Sequence, residues 1–467
     1  MIDVSQIAAF ATPVHLFLLL AGALVLVNLV LRAANRRRAQ FACNAAILLL
    51  LTITAGAMAY ANTQQTVLGV LSVNPFSTFF ILILTFSMLL VSVLAYEYAG
   101  GFGDFALMAS FALMGMYLVS LSVTLITLFL GLELMVIPTV FIVLLSRKSL
   151  EAATKLFIIG SISVGVLSFA IVALYGGTNS LSLQPVYQES GILAFAMVLF
   201  IASLGIEASV FPFNVLMPDV YEGSPAYATA MLGGINKKVG FIALMQVLIM
   251  VFIAFRSAFL IIAILSVATM FYGNIAAIMQ RNIKRMLAYS SISQAGYILI
   301  GIASSSSAGI SAALFQIFAH MFLFIGLLAI VAWLESKNRT EINDIIGLNG
   351  ENRVAAFCMT IFMLSLVGLP FTTGFVGKFL LFLGAVNSGL VWLAVLGVMN
   401  SIISVYYYAR PIMAAYAQKA GSARMRMNTG TVLVVVTCLV ITIAIGMYPQ
   451  PLIHVVGNAS SYLFRIA

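Results

Sequence analysis

Long apolar runs fill this chain from end to end, and only short polar breaks separate them. A helix needs roughly 20 apolar residues to cross a bilayer, so these runs have the length of membrane spans. Charged residues make up 7% of the 467 residues, which leaves too little polar surface for a water-soluble fold. The pattern predicts an all-α integral membrane protein of about fourteen transmembrane helices, near residues 12–32, 40–61, 74–97, 103–121, 123–145, 153–175, 191–212, 226–253, 257–280, 286–303, 310–334, 354–385, 388–411 and 430–449.

The basic residues are spread over the short segments between spans. The net charge is +9, yet the 22 lysines and arginines form no stripe or tail that would suit a nucleic acid. If the N-terminus lies outside, the loops that face the cytoplasm hold Arg36 to Arg38, Arg147, Lys148, Arg281, Lys284, Arg285, Lys337, Arg339, Arg353, Lys419, Arg424 and Arg426. The opposite loops hold only Arg256. The positive-inside rule therefore predicts a multi-pass protein of the cytoplasmic (inner) membrane with both termini outside.

The three cysteines give no sign of a metal or redox site. Cys43, Cys358 and Cys438 all lie in apolar runs and lack CxxC spacing. The sequence also offers no flavin, haem or Fe–S motif. We therefore expect no metal and no cofactor in this chain.

Two spans contain a proline inside an otherwise helical apolar run, Pro212 in the seventh and Pro370 in the twelfth. The sequences around them, 203–213 and 365–375, are similar and suggest a faint internal repeat. Proline removes a backbone hydrogen bond and clashes with the preceding turn, so we expect a helix break at each site. Paired broken helices at membrane depth mark ion or substrate sites in repeat-built transporters. The alternative is a tolerated kink.

Five charged residues fall inside the spans, with apolar sequence on both sides: Glu133, Glu207, Lys237, Lys238 and Lys378. An ionised side chain at the bilayer centre costs on the order of 3 kcal/mol, so such residues must face one another or water. Burial also makes the charge of a carboxyl or amine easier to gain or lose, which is what a reversible proton carrier requires. The alternative for each is a structural ion pair.

The placement of these residues leads to separate expectations. Glu133 lies mid-span in the fifth helix, too deep for its short side chain to reach the interface. Lys378 follows the break in the twelfth. Lys237 and Lys238 are adjacent and point about 100° apart, so we expect one to face the axis of charges and the other an interface. Glu207, close to the break at Pro212, is placed to pair with a lysine of the eighth helix or to share a proton with Glu133.

Polar residues in the tenth and eleventh spans each have two interpretations. His320, mid-helix in the eleventh span, is either a proton carrier or a hydrogen-bonded packing residue. The set Ser290, Ser291, Ser293 and Gln294 either lines a hydrated path or bonds neighbouring helices together. The sequence leaves both choices open.

Charged residues near the span ends are expected to meet solvent. The segment 218–225 has the composition of a turn, and Asp219 and Glu222 in it are expected to be solvated. Lys155 and Arg410, near the ends of their spans, are expected to extend to the interface. These residues do not enter the predicted site.

Three segments together resemble a known family. They are 217–226, which contains PDVYEGSP, 282–297 and 368–379. In this order they resemble the antiporter-like subunits of respiratory complex I (NADH:quinone oxidoreductase), above all its N subunit and the counterparts in archaeal F(420)H(2) dehydrogenases. The resemblance runs from about span four to span thirteen. The PDVYEGSP form favours the N subunit over the L and M subunits and over cation/proton antiporter subunits.

This resemblance implies an organisation for the whole chain. It implies one polytopic membrane domain, 1–467, that contains two inverted five-helix repeats, spans 4–8 and 9–13, each with a discontinuous helix. The corresponding segments are 1–98 for three peripheral helices, 103–253 for the first repeat, 257–411 for the second, and 412–467 for a loop and helix fourteen.

The resemblance also implies roles for individual residues, with one departure. Glu133, Lys237 and Lys378 match the family's helix-five glutamate, helix-eight lysine and helix-twelve lysine, which carry protons along a hydrated axis. Glu207 stands where the family usually has lysine. Two nearby carboxylates share a proton more readily than each holds a charge, and Lys237 would supply the countercharge. Because carboxylates also suit Na⁺, the transported ion stays open between H⁺ and Na⁺.

The function implied is that of a proton-translocating membrane-arm subunit in a complex-I-like pump driven by NADH or F(420)H(2). Such a subunit carries no redox chemistry itself, and the flavin and Fe–S clusters belong to partner subunits. Its partners would be other membrane-arm subunits and lipids. The alternatives are a subunit of an Mrp-type cation/proton antiporter or of a membrane-bound hydrogenase, or a purely structural membrane subunit.

Overall fold

The structure of the chain, a computed structural model, describes residues 13–67, 69–146, 149–418 and 424–466, most of which are helical. Residues 1–12, Arg147, Lys148 and Lys419 lie outside the described residues, and with them parts of the topology prediction. The all-α membrane fold predicted from the apolar runs is confirmed.

Six long helices and a small hairpin form the first part of the chain. The hairpin pairs two antiparallel strands with Thr66 opposite Ser72. The elements are α1 (Pro13–Ala33), α2 (Arg37–Tyr60), β1 (Gln65–Val67), β2 (Leu71–Val73), α3 (Pro75–Tyr98), α4 (Phe102–Leu121), α5 (Leu125–Leu144) and α6 (Leu150–Thr178).

The rest of the chain contains two interrupted helices. Its elements are α7 (Gly191–Glu207), α8 (Met217–Gly223), α9 (Ala226–Val251), α10 (Arg256–Ile278), α11 (Ile283–Ala303), α12 (Ser307–Glu335), a 3₁₀ turn (Ile342–Ile345), α13 (Leu348–Glu351), α14 (Arg353–Val367), α15 (Thr373–Asn387), α16 (Val391–Tyr416), α17 (Thr429–Met447) and α18 (Gln450–Ile466). α9 is continuous but contains two π-helical segments, Leu232–Asn236 and Gln246–Val251.

Among the described residues, twelve helices are long and apolar enough to span a membrane. The two remaining predicted spans, the seventh and the twelfth, are occupied by the shorter helices α7 and α14–α15. α7 ends at Glu207 and α14 at Val367, so Pro212 and Pro370 both lie in the segments that interrupt the helical course. Gly368, with φ +108°, takes a backbone conformation at the second interruption that a side chain would strain.

Close helix crossings occur at small residues in both halves of the chain. A Cβ on Gly115 of α4 would lie 2.5 Å from the Met135 nitrogen of α5, and a Cβ on Gly273 of α10 would lie 2.5 Å from the Ser293 nitrogen of α11. Such backbone approach is the usual way helices pack in lipid. These pairs hold equivalent places in the two predicted repeats, whose boundaries stay a prediction.

The predicted turn at 218–225 is wrong, because residues 217–223 form the short helix α8. Proline fits the first turn of a helix, where its missing N–H costs nothing. The acidic residues of α8 are ion-paired: Lys155 Nζ and Arg285 Nη1 each lie 2.7 Å from Asp219, and Arg285 lies 2.8 Å from Glu222. The hydrogen bond from Lys155, followed by that from Arg285, holds the pKa of Asp219 below its usual value.

The end of the chain also differs from the prediction of a loop and one last helix. After α17, residues 450–466 form a further helix, α18, whose Leu452, Val456, Ala459 and Leu463 are buried. The buried positions recur every three or four residues, as expected of an amphipathic helix that covers the bundle with one face.

The basic residues at the helix ends define a basic face of the molecule. We use this name for the side that carries Arg281, Lys284, Arg285, Arg424 and Arg426, where α10 and α16 end and α11 begins. Arg410 lies there as expected near the end of α16, but its Nη1 donates to backbone oxygens, Ile278 O at 2.8 Å and Gln280 O at 3.0 Å.

Candidate functional site

The interrupted helices and the π-helical part of α9 carry the buried charges towards one another. Glu207 is the last residue of α7, and Lys378 lies in the second turn of α15. Lys237 and Lys238 directly follow the π-helical segment Leu232–Asn236. π-segments and helix breaks are frequent at functional sites because they change the direction of side chains within a helix.

Glu207 and Lys237 line one small cavity. Its volume is about 40 Å³, and Asn236 and Thr139 contribute further polar groups to its wall. Asn236 Nδ2 donates to Thr139 Oγ1 at 2.7 Å, whereas Asn236 Oδ1 is buried and has no hydrogen-bond partner in the described structure. A cavity of this size has room for a water molecule, and the polar groups in its wall could hydrogen-bond one. Glu207 and Lys237, the second and third members of the predicted series, therefore line one site with room for a hydrogen-bonded water molecule.

Glu133 lies on the outer stripe of α5. The residues of that stripe, Ile126, Leu130, Ile137 and Phe141, are each about half exposed, and Glu133 falls between Leu130 and Ile137 at helical spacing. Its own side chain is partly exposed and lies within electrostatic range of Glu207. This chain alone therefore does not shield the carboxylate at mid-span.

Lys237 makes its contacts with α11. Its Nζ donates to Ser291 O at 2.7 Å and to Ser291 Oγ at 3.1 Å. Both groups are buried, and the side chain of Lys237 is 2% exposed. Ser291 belongs to the polar set of the tenth span, so at least this member of the set faces the charged series.

Lys238 contacts the next helix, α12. Its Nζ lies 2.6 Å from His320 Nδ1, and the His320 ring stacks on Phe324. The expectation that one of the adjacent lysines lies at an interface is wrong, because both are buried. α9 is enclosed by helices, so both side-chain directions lead to polar groups inside the bundle. His320 Nε2 is buried and without a partner in the described structure.

Two glutamines connect this region to the second interruption. Gln316, one helical turn from His320 on α12, donates to Gln294 Oε1 at 2.9 Å, and Gln294 donates to Leu366 O at 3.2 Å. Gln294 lies one turn from Ser291 on α11. Ser291 and His320, the hydrogen-bond partners of the two lysines of α9, thus each lie one helical turn from this glutamine pair, which ends on the carbonyl of Leu366 at the break after α14.

Lys378 lies against that break. Its Nζ donates to Leu366 O at 2.8 Å, to Val367 O at 2.9 Å and to Ser401 Oγ at 2.9 Å, and it lies 4.5 Å from the centre of the Tyr297 ring. The last carbonyls of a helix carry partial negative charge, so the end of α14 provides a site for a cation without an acidic partner.

The structure therefore brings the buried residues Lys237, Lys238, His320 and Lys378 into one polar series, with the partly buried Glu207 and Glu133 at its outer end. Sequence reasoning missed Gln316, Asn236 and Ser401, which complete it. Each is an uncharged polar residue in a mostly apolar helix, and the available signal was only that polar residues are rare at membrane depth.

A glycine on α9 fixes the position of Glu207. A Cβ on Gly240 would lie 2.6 Å from the Ala208 nitrogen and 2.9 Å from Glu207 Cβ. We expect Gly240→Ala to push the end of α7 away and to destabilise the chain by about 1–3 kcal/mol, the usual effect of overpacking. Thermal unfolding of the purified protein measures this change.

The matched control for that variant is Gly165→Ala. Gly165 lies in α6, and no atom lies within 4 Å of the place that an added Cβ would take, so the same substitution there has room and gains helix propensity. If Gly240→Ala unfolds at the same temperature as Gly165→Ala, α9 does not hold Glu207 in place.

Comparison with known proteins gives one family match. The family model described as "NADH:quinone oxidoreductase/Mrp antiporter, TM" matches residues 122–404, which include every member of the series.

Relatives match over nearly the whole chain. NADH-quinone oxidoreductase subunit N of Desulforamulus reducens is 34% identical over 98% of this chain and 99% of its own length. F(420)H(2) dehydrogenase subunit N of Methanosarcina mazei is 31% identical over 89% of this chain and 88% of its own. A chain of respiratory complex I from Thermus thermophilus with bound aureothin superimposes with a TM-score of 0.84 at 25% identity, covering 94% of this chain and 98% of that one.

Proposed function

Since the chain belongs to the NADH:quinone oxidoreductase/Mrp antiporter transmembrane family, we propose that it is the N subunit of a complex-I-like redox-driven pump and translocates protons. The observation that carries this proposal is the polar series from Glu207 to Lys378, whose lysines and histidine are buried. A purely structural subunit has no need of three buried lysines without a carboxylate within salt-bridge distance of any of them in the described structure.

Protons would move along this series through ionisable groups joined by water and hydroxyl groups. Lys237, Lys238, His320 and Lys378 can each hold or release a proton, whereas Ser291 and water pass one on. Asn236 Oδ1, His320 Nε2 and Gln316 Oε1, buried and unpartnered in the described structure, are places where ordered water would complete the hydrogen bonds. Gln294 and Gln316 cannot relay a proton themselves, so they position such water.

The first half of the series would work with two carboxylates. Glu133 and Glu207 interact electrostatically, and Lys237 lines the same cavity as Glu207. We propose that the two acids hold one proton between them while Lys237 is charged. Movement of this proton would change how readily Lys237 holds its own proton. The ion moved is H⁺ in this proposal, and Na⁺ at the two carboxylates is an outcome that the Glu207 variants test.

The position of Glu133 supports a membrane partner. A partly exposed carboxylate at mid-span is costly in lipid, so a second membrane subunit would cover the outer stripe of α5. The exposed apolar faces of the other helices would contact lipid. Flavin and Fe–S clusters would lie in other subunits of the assembly, and this chain would contribute ion movement without redox chemistry.

The proposed orientation puts the basic face in the cytoplasm and both termini outside, in the cytoplasmic (inner) membrane. Support comes from the described basic residues on that face, Arg281, Lys284, Arg285, Arg424 and Arg426. Arg256, at the start of α10, is on the opposite side.

Purification of the native assembly in mild detergent, with Glu133→Gln compared with wild type, tests this function. We expect flavin- and Fe–S-containing subunits to copurify, and Glu133→Gln to depress proton translocation and the coupled redox rate while the assembly persists. The control is Glu189→Gln, the same change in an exposed loop.

Three results would contradict the proposal or part of it. Copurification with antiporter subunits alone would point to the Mrp-type cation/proton antiporter, and copurification with a hydrogenase would point to the membrane-bound hydrogenase. Wild-type pumping by Glu133→Gln would remove Glu133 from the series.

A further inference from the structure

A second set of buried hydroxyl groups branches from the series towards the basic face. Tyr407 and Tyr408 are neighbours on α16, both are 0% exposed, and their ring centres lie 4.3 Å apart. Phenylalanine would fill the same space without introducing polar atoms into the membrane interior. Burying the two hydroxyl groups is costly unless they form hydrogen bonds, so their contacts indicate what they do.

The branch begins at Gln294, which shares the acceptor Leu366 O with Lys378. The Tyr408 hydroxyl hydrogen-bonds the Ser290 hydroxyl of α11 and lies beside Gln294 and the Tyr407 hydroxyl. Gln294 itself donates to Leu366 O, which also accepts from Lys378 Nζ. Tyr408 is thus one hydrogen-bonded group away from the series.

The branch continues from Tyr407 to α10. The Tyr407 hydroxyl donates to Asn274 Oδ1 at 2.9 Å, and Asn274 is fully buried. Asn274 lies one helical turn before Ile278, where α10 ends at the basic face and Arg410 donates to the freed carbonyl. The buried polar groups therefore extend from the level of Lys378 to the last turn of α10, next to the basic face.

A stripe of serines on α16 provides a parallel contact with Lys378. Ser401 accepts from Lys378 Nζ at 2.9 Å, and Ser404 and Tyr408 follow at the same helical face. Ser404 Oγ donates to Ser401 O at 2.6 Å. Ser401, Ser404 and Tyr408 thus place hydroxyl groups at successive turns on one face of α16, starting at the contact with Lys378.

We propose that Tyr408 and Tyr407, with Ser290, form a proton branch that connects the Lys378 end of the series with the basic face. This inference rests on the proposed function and extends it to residues that sequence reasoning did not select. A hydroxyl group gives its proton to one neighbour as it receives another from the opposite side, so transfer leaves no net charge on either tyrosine. Gln294 and Asn274 cannot relay a proton, so water would carry it between Lys378 and Tyr408 and again between Tyr407 and the basic face.

The alternative role for these residues is interhelical bonding. Hydrogen bonds between α10, α11 and α16 would stabilise the bundle whether or not protons move. The two roles differ in what a missing hydroxyl changes. Loss of a structural bond lowers the amount or stability of the assembly, whereas loss of a relay lowers the translocation rate of each assembled complex.

The experiment compares Tyr408→Phe and Tyr407→Phe with wild type in the intact complex in proteoliposomes. Each variant keeps the ring and removes one hydroxyl. We expect the rate of proton translocation per assembled complex to fall about 10²-fold. This is the lower end of the usual effect of removing a proton-transfer group. The solvent deuterium isotope effect on translocation should rise, because proton transfer becomes the slowest step.

The control is Tyr117→Phe. Tyr117 on α4 is also buried, and its hydroxyl bonds Thr85 at 2.6 Å, away from the series. The branch is overturned if Tyr407→Phe and Tyr408→Phe both match Tyr117→Phe in rate per complex and in isotope effect, while Lys378→Met still fails to pump. If Lys378→Met pumps normally, the proposed function itself is overturned. If neither tyrosine variant assembles whereas Tyr117→Phe does, the pair is structural and the branch is likewise overturned.

Discussion

Replacing Lys378 by methionine is expected to stop proton transfer through the second half of the series. Methionine has a similar length but cannot hold a proton, and it removes the hydrogen bonds that Lys378 donates to Leu366 O and Val367 O. Removal of a positioned proton-transfer group usually slows transfer by about 10²–10⁴-fold. Proton translocation by the reconstituted complex, measured together with its coupled redox rate, gives the effect per assembled complex.

A second substitution at the same position separates proton transfer from charge. Lys378→Arg keeps a positive charge beside the carbonyls at the end of α14, but a guanidinium does not release its proton in proteins. We expect Lys378→Arg to assemble as well as wild type and still fail to pump. Lys337→Met, at an exposed lysine, is the matched control for the methionine variant.

The outcome that contradicts this role is specific. If Lys378→Arg pumps at the wild-type rate and only Lys378→Met fails, the residue supplies a fixed charge and no proton. If both variants pump normally, Lys378 only caps the end of α14.

The sequence was sufficient for the membrane fold and for the charged residues, because both depend on the cost of polar groups in lipid. A charge at mid-span is conspicuous against an apolar background, and so is a proline within a helix. Glu207 and Lys378 could therefore be selected without any structure. Their places next to the two helix interruptions follow from the same local signals.

The partners of these charges could not be read from the sequence in the same way. The separation of about 100° between Lys237 and Lys238 suggested that one would point outward, but α9 is enclosed on all sides, so Lys238 meets His320 instead. Which directions are inside the bundle depends on helix packing. The helix α18 was missed for another reason: it is amphipathic, so a search for uniformly apolar runs passes over it.

The two interruptions place opposite charges in comparable surroundings. At the second, the ammonium of Lys378 rests on the carbonyls at the end of α14. At the first, the carboxyl of Glu207 is itself the last residue of α7, and the negative end of the helix dipole disfavours a bare negative charge there. A carboxylic acid that holds a proton avoids this conflict. A carboxyl group at position 207 therefore predicts a distinct behaviour for the first half of the series.

Substitutions of Glu207 test that behaviour most directly. We expect Glu207→Gln, which cannot titrate, to lose proton translocation by about 10²-fold or more. Glu207→Lys introduces the lysine that the family resemblance implies at this position, beside the carboxylate of Glu133 and at the carbonyl end of α7, where a cation is favoured. We expect this variant to pump at a rate close to wild type. Glu189→Gln is again the exposed control.

The combination of results decides what Glu207 does. Recovery by lysine together with loss by glutamine means that position 207 needs a proton carrier of either charge type. If both variants match wild type, the residue is structural, and the cavity with Lys237 conducts without it. If both fail and wild-type pumping depends on Na⁺ concentration, the two carboxylates bind Na⁺, since lysine repels that ion and glutamine leaves only one carboxylate for it.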